Sequence, residues 1–364
     1  PASAEAGDQI IFVDYARTWG TNKIIIDSNG LNYQSQDDAY TVEYSTSGQT
    51  VSIVYSGATV GWIPEDDDTV ADVPAAPVTQ KAIFAFGNSG SPTNLSNLVS
   101  SSGVVASDTA GVGTSRDSCG GAGYGFDKAV VAYGTTGSVV NTKNLISNSG
   151  VVATDSSGAG TARKCMSAAT YGSDKAIYGY GYAGGSAVGM TNLVSNSGVI
   201  SADVSIVGTA RNYGSAASYG TDKVIFAYGL ISVNTNISNL CSNTGVVSTD
   251  VTGVGTARKE LSAAGYGGDK ALFAYGKTST QVSMKNLVSN NGVVASDVSG
   301  VGTVRSAQAS AAYGGDKAIF GYGYGGGNLN LSNLVNNVGV IAADVSGVGT
   351  ARYYLTAAGF SNSA

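Results

Sequence analysis

The sequence predicts an all-β protein, with a six-bladed β-propeller over residues 80–364, a small β domain over residues 1–63 and a linker over 64–79 between them. Three observations lead there. A unit of about 47 residues recurs six times between residues 80 and 360. Each copy carries four short apolar runs at period two, bounded by Gly and free of helical periodicity, which is the arithmetic of a propeller blade. The array is also permuted at its ends, as a closed ring of strands requires.

In chain order, Gln9–Val13, Lys23–Asp27, Ala39–Tyr44, Val51–Tyr55 and Val60–Ile63 are β-branched or aromatic runs and are expected as strands. Asp27–Gly30 and Ser56–Thr59 read as turns, the second joining a hairpin. Pro64, Pro74 and Pro77 mark the linker. Its acidic run Glu65–Asp68 lacks the alternating ligand spacing and turn Gly of a calcium loop, and is expected to be a solvated acidic stretch.

Within the array, Asp-Lys-Ala-Ile-Phe-Gly-Tyr-Gly from Asp316 recurs from Asp269, Asp222, Asp174, Asp127 and, degraded, Gln80. Asn-Leu-Val-Ser-Asn-x-Gly recurs from Asn97, Asn144, Asn192, Asn239, Asn286 and Asn333. Gly-Thr-x-Arg heads an Arg-x-x-Leu-Ser-Ala-Ala-x-Tyr strand, and Gly-Val-Val-Ala-Ser-Asp is expected as the fourth strand. The first copy opens at Lys81 with its second strand, and the chain ends on the missing first strand, Gly349–Phe360. An open solenoid would instead need distinct capping repeats.

Composition excludes several functions. The 364 residues include 52 Gly and no His, and only 12% are charged, about half the usual ~25%. Without His there are no Ser-His-Asp triads and no His-ligated metals. Cys119, Cys165 and Cys241 are widely spaced without a CxxC, so they are expected as buried apolar residues rather than metal ligands or a disulfide framework. No cofactor or metal site is expected. Residues 1–80 carry net −10 and residues 81–364 net +4, a split that argues for two units, neither a nucleic-acid binder. No apolar run approaches the ~20 residues of a membrane span, and no signal-peptide pattern opens the chain. A start at Pro1 is expected of a processed chain or a fragment.

Six acid–base pairs recur eight residues apart: Asp108 and Arg116, Asp155 and Arg163, Asp203 and Arg211, Asp250 and Arg258, Asp297 and Arg305, Asp344 and Arg352. A charge present once per blade is expected to be an architectural tie, because buried charge must be paired. The copies differ in the loops between strands two and three and in the two residues after each Arg, and both regions belong at one end of an antiparallel blade. That end is the expected ligand-binding face, with Lys164, Tyr182, Asn212, Tyr213, Lys259, Glu260, Tyr324, Tyr353 and Tyr354 as its candidate residues.

The run Arg-x-x-(small/apolar)-Ala-Ala-x-Tyr-Gly-Gly-Asp-Lys-Ala-Ile-Phe-Gly-Tyr-Gly resembles kelch propellers. The kelch Trp is absent, since Trp19 and Trp62 lie outside the array, so the resemblance implies architecture and not kelch function. Ala6–Asp14, Thr21-Asn22, Ile26-Asp27, Asn29-Gly30, Val51–Tyr55 and Gly61-Trp62 resemble a small domain of tailed-phage virion appendages such as tail fibres and spikes, and the Asn-Leu-Val-Ser-Asn-Ser-Gly-Val-Val arrays resemble those of phage structural proteins. The resemblance implies a non-enzymatic virion protein. Its N-terminal domain would contact other virion proteins, with a homotrimer favoured, and its propeller would recognise a host-surface glycan or protein. A capsid or tail decoration without receptor role and a bacterial surface adhesin are the alternatives. Six-bladed sialidases are set aside because Ser296–Thr303 does not meet their Ser-x-Asp-x-Gly-x-Thr-Trp box. Asp117 and Glu260 are the only array acids outside the repeated positions, hence the pair to examine for glycoside cleavage.

Overall fold

The computed structural model describes residues 3–36, 42–66 and 80–361, and among them every regular element is a β-strand in an antiparallel sheet. The all-β class therefore holds. The chain divides into two compact units, Pro1–Ala75 and Ala76–Ala364.

The first unit holds β1 (Gln9–Val13), β2 (Ile24–Ile26), β3 (Val42–Tyr44), β4 (Thr50–Tyr55) and β5 (Trp62–Pro64). They form a β1-β4-β5 sheet and a β2-β3 ribbon. Alternation drives the burial: on β3, Val42 and Tyr44 point inward and Glu43 outward. Trp19, Tyr33, Tyr44, Val51, Ile53, Tyr55 and Trp62 make the core. The Asp14 carboxylate accepts backbone N–H bonds from Thr18, Trp19 and Gly48 at 2.9–3.0 Å, binding two loops to the end of β1. The hairpin turn lies at Ser56–Gly61, but β5 starts later than expected. Pro64 sits opposite Ile53 on an edge strand, where a missing N–H is tolerated, and the Glu65 carboxylate accepts the Ser52 hydroxyl. These residues belong to the domain rather than to a linker. Asp67 and Asp68 of the acidic run and residues 39–41 of the third expected strand lie outside the described residues.

The second unit holds six antiparallel sheets, five of three strands and the third of four, with a two-stranded ribbon of Tyr182–Ala183 and Ser186–Ala187 beside them. The first joins both ends of the array, with Thr356–Phe360 pairing Lys81–Asn88 and that strand pairing Pro92–Val99. The second is Gly120–Tyr124, Lys128–Ala132 and Lys143–Ile146. The third is Ser167–Tyr171, Lys175–Gly179, Met190–Val194 and Val204–Ser205. The fourth is Ser215–Tyr219, Lys223–Leu230 and Asn234–Cys241. The fifth is Ser262–Tyr266, Lys270–Ala274 and Lys285–Val288, and the sixth is Ala309–Tyr313, Lys317–Tyr324 and Asn328–Val335. Apolar clusters lie between neighbouring sheets; one joins Ala122, Tyr124 and Val130 of the second to Ala176, Tyr178 and Val194 of the third.

First strands of successive sheets pack side by side, and that of the sixth packs against that of the first. Two cycles of backbone hydrogen bonds link them. At one end Cys165 N donates to Ser118 O, Tyr213 N to Cys165 O, Glu260 N to Tyr213 O, Ala307 N to Glu260 O, Tyr354 N to Ala307 O and Ser118 N to Tyr354 O, all at 2.8–3.1 Å. At the other, Ser361 N donates to Asp127 O, Gly125 N to Asp174 O, Gly172 N to Asp222 O, Gly220 N to Asp269 O, Gly267 N to Asp316 O and Gly314 N to Gln80 O.

The fourth expected strand is not one. Gly-Val-Val-Ala-Ser-Asp makes isolated bridges such as Val99 to Val105, and only Val204–Ser205 forms a short strand, against Met190–Val194. A buried amide takes the place of the ladder: Asn97 Nδ2 donates to Ala106 O and to Asp108 Oδ1. Asn144, Asn192, Asn239, Asn286 and Asn333 do the same in the other sheets.

Candidate ligand-binding site

The frame of the site is the six arginines. Arg116, Arg163, Arg211, Arg258, Arg305 and Arg352 are all buried. Arg258 shows the pattern: Nε donates to Tyr275 O at 2.9 Å, one terminal nitrogen to Thr256 O at 3.2 Å and the other to Asn286 Oδ1 at 2.7 Å. Its guanidinium lies 4.3 Å from the Tyr228 ring centroid of the preceding sheet. The other five likewise cover Phe86, Tyr133, Tyr180, Tyr275 and Tyr322 at 3.9–4.3 Å. Each Arg therefore bonds within its own sheet and stacks on its neighbour.

The acid partner is not the one eight residues earlier. Arg116 pairs with Asp155 at 3.7 Å, Arg163 with Asp203 at 3.9 Å, Arg258 with Asp297 at 3.8 Å and Arg305 with Asp344 at 3.9 Å. Arg352 pairs back to Asp108 at 3.8 Å, and Asp250 feels the charge of Arg211. Each ion pair joins the segment entering a sheet to the segment leaving that same sheet, which lies one unit further along the chain. Thr350 holds Asp108 in place through its backbone N–H and its hydroxyl. Burial pushes the Asp108 carboxyl up. Hydrogen bonds from Thr350 and Asn97 and the Arg352 charge outweigh it and hold the group below the ordinary carboxylate value.

Beyond each Arg the chain turns through a left-handed residue. Ser118, Cys165, Tyr213, Glu260, Ala307 and Tyr354 have φ between 49° and 56° and are the six members of the first hydrogen-bond cycle. None is Gly, although such backbone favours Gly. The residue just before each bridges the start of its sheet's second loop: Asp117 to Thr135, Lys164 to Tyr182, Asn212 to Leu230, Lys259 to Lys277, Ser306 to Tyr324 and Tyr353 to Asn88. Both variable regions thus share one end of the array.

Of the sequence-derived candidates, Tyr213, Glu260, Tyr324, Tyr353 and Tyr354 come together. Ring centroids are 5.7 Å apart for Tyr324 and Tyr353, 5.0 Å for Tyr353 and Tyr354, and 5.9 Å for Tyr354 and Tyr213. The Tyr354 phenol donates to Glu260 Oε1 at 3.0 Å and the Ser306 hydroxyl to Oε2 at 2.9 Å. Burial and then the Glu260 charge push the Tyr354 phenol far up, so it stays a donor. The Lys259 ammonium stands 5.8 Å from the Tyr213 ring centroid. Asn212 is buried, with its side-chain oxygen lacking a partner. Lys164 and Tyr182 meet through backbone only, and no ring contact joins Tyr182 to the cluster among the described residues.

Sequence reasoning left Ser118, Cys165 and Ala307 out of the candidate set, yet they hold the same repeat position as Tyr213, Glu260 and Tyr354. That shared position was the signal available. With their neighbours they line a cavity of about 120 Å³ between the first strands, which also reaches Gly121, Ala168, Ala216, Ala263, Ser310 and Ala357. Burial pushes the Cys165 thiol up to about 11 and the Cys119 thiol to about 12, so both are protonated and unreactive at neutral pH. Asp117 and Glu260 have separate partners, Asp117 bonding Asn88 and Ser118. Among the described residues no group of three or more His, Cys, Asp or Glu is placed to hold a metal ion. A scan against protein-family models and a search of curated proteins found no match to this chain.

Proposed function

We propose that the six sheets are the blades of a closed, kelch-like propeller, and that the chain is a non-enzymatic structural protein of a tailed-phage virion whose loop end recognises a host-surface glycan. Closure is supported by the strand pairing of Thr356–Phe360 with Lys81–Asn88 and by the two hydrogen-bond cycles. One observation carries the recognition role: the buried, ring-stacked Arg and the Asn–Asp hydrogen bond recur in all six units, while chemical differences gather at one end as four tyrosines in contact, a carboxylate and a lysine. Tyrosine faces beside hydrogen-bonding groups suit sugar rings. The virion setting is supported by the low-charge, Gly-rich β composition and by the N-terminal resemblance. Ile11, Val13 and Ile25 of the first unit are 59–60% exposed, which favours the proposed trimer and contacts with other virion proteins. Several weak sites on one particle then act together.

The test is adsorption of the full chain to host envelope and to purified virions, with Tyr213, Tyr353 and Tyr354 changed to Ala. Loss of envelope adsorption at unchanged melting temperature is expected. Binding to virion proteins alone would remove the receptor role. A decoration role is favoured by a different feature, the exposed valine at one place in every unit: Val104, Val151, Val199, Val246, Val293 and Val340. A particle image showing the tyrosine end buried against a neighbour would select that reading.

A further inference from the structure

We infer that the loop end takes a linear oligosaccharide lying across it along the four tyrosines, rather than a single sugar seated in the cavity. This rests on the glycan reading of that end and specifies its ligand. The strip runs from Tyr324 of the sixth sheet, through Tyr353 and Tyr354 at the entrance to the first, to Tyr213 at the entrance to the fourth. Tyr354 and Tyr213 stand three places apart in the six-residue cycle, so the strip crosses the array instead of following its rim. Its three steps of 5.7, 5.0 and 5.9 Å are each close to the advance from one pyranose ring to the next in an extended chain. Successive rings are tilted by 55°, 44° and 37°, which suits sugars that rotate about their linkages.

The tyrosine pair spanning the cycle lines the cavity. A volume of about 120 Å³ has room for a few ordered waters and not for a chain of sugars. The polar groups beside the strip choose between ligand classes. Glu260 and Asp117 are the two array carboxylates without a basic partner; every other one pairs with Lys or Arg or, for Asp250, feels the charge of Arg211. A carboxylate has about four lone-pair sites, and Glu260 uses two of them on Tyr354 and Ser306, so it can still accept from a ligand. A proline-rich peptide would also pack on tyrosines, but it presents carbonyl oxygens and calls for donors. An unpaired carboxylate calls for hydroxyl donors, which a glycan supplies along its whole length.

The experiment binds the full chain to an array of linear oligosaccharides graded from one to six residues, followed by calorimetric titration of the hits and of a proline-rich peptide. Affinity is expected to rise at least tenfold from one residue to four and then to level off. Tyr324→Ala should lower the four-residue ligand to the affinity of its three-residue homologue, and Glu260→Gln should weaken every length, both at unchanged melting temperature. Equal affinity for one and four residues, preference for the peptide, a Tyr324→Ala variant that binds like the parent, or an array without hits would each overturn the inference. If the chain then still adsorbs to host envelope, the strip falls and recognition stands. If envelope adsorption is also absent, both fall.

Discussion

Arg258 shows how one residue type organises the array. Its guanidinium makes three hydrogen bonds, one ion pair and one aromatic stack, and it is fully buried. Arg258→Met fills similar space but strands Asn286 Oδ1, Tyr275 O and the Asp297 carboxylate. Breaking a buried pair from one side costs about 3–5 kcal/mol, so a loss near the lower end is expected in urea unfolding because Asp297 is partly exposed. Asp297→Asn, which keeps hydrogen-bonding capacity, should cost about 1 kcal/mol. The existence of the ties was legible in the repeated Asp and Arg. Their partners were not, because six equivalent acids sit at equal sequence offsets and only the fold decides which one a given guanidinium meets.

At the scale of elements, period-two runs located most strands, since side-chain alternation is fixed by strand geometry. The third strands of the first, fourth and sixth sheets, however, begin at Pro92, Asn234 and Asn328, five residues before the expected runs from Asn97, Asn239 and Asn333. The fourth strand was misread for a reason invisible to periodicity: a buried Asn amide bonds the segment side-on and ends the ladder after isolated bridges. The β4–β5 hairpin shows an opposite case, in which one position decides an element. Gly61 has φ +77°, and a Cβ there would lie 1.7 Å from the Asn32 carbonyl oxygen. Backbone cannot yield as a side chain does. Gly61→Ala is therefore expected to remove the separate unfolding transition of the first unit in calorimetry while leaving that of the array; an intact first-unit transition would contradict this packing.

Across the whole molecule, the acids of the frame act together. Asp108, Asp155, Asp203, Asp250, Asp297 and Asp344 all have carboxyls held below the ordinary value: burial opposes ionisation, and Thr and Asn hydrogen bonds with an Arg charge overcome it. A folded-state value below the unfolded one means that their stabilisation is fully present above about pH 4, the unfolded Asp value, and is lost as pH falls through the folded values. The array's melting temperature should stay level from pH 7 to about 5 and drop steeply toward pH 2. Asp108→Asn should lessen that drop. A melting temperature unchanged at pH 2 would show that these carboxylates do not hold the array.

The sequence by itself determined the repeat, the all-β class and three of the four strands expected in each unit, because strand character is local and was written six times. It also marked the residues after each Arg as variable. Only the tertiary structure decided that Ser118, Cys165, Tyr213, Glu260, Ala307 and Tyr354, some 47 residues apart along the chain, form one hydrogen-bonded cycle. Only it placed Tyr324 and Tyr353 beside Tyr354 and Tyr213. The reason is that convergence depends on first strands packing side by side across units, a long-range contact that no window of the sequence contains.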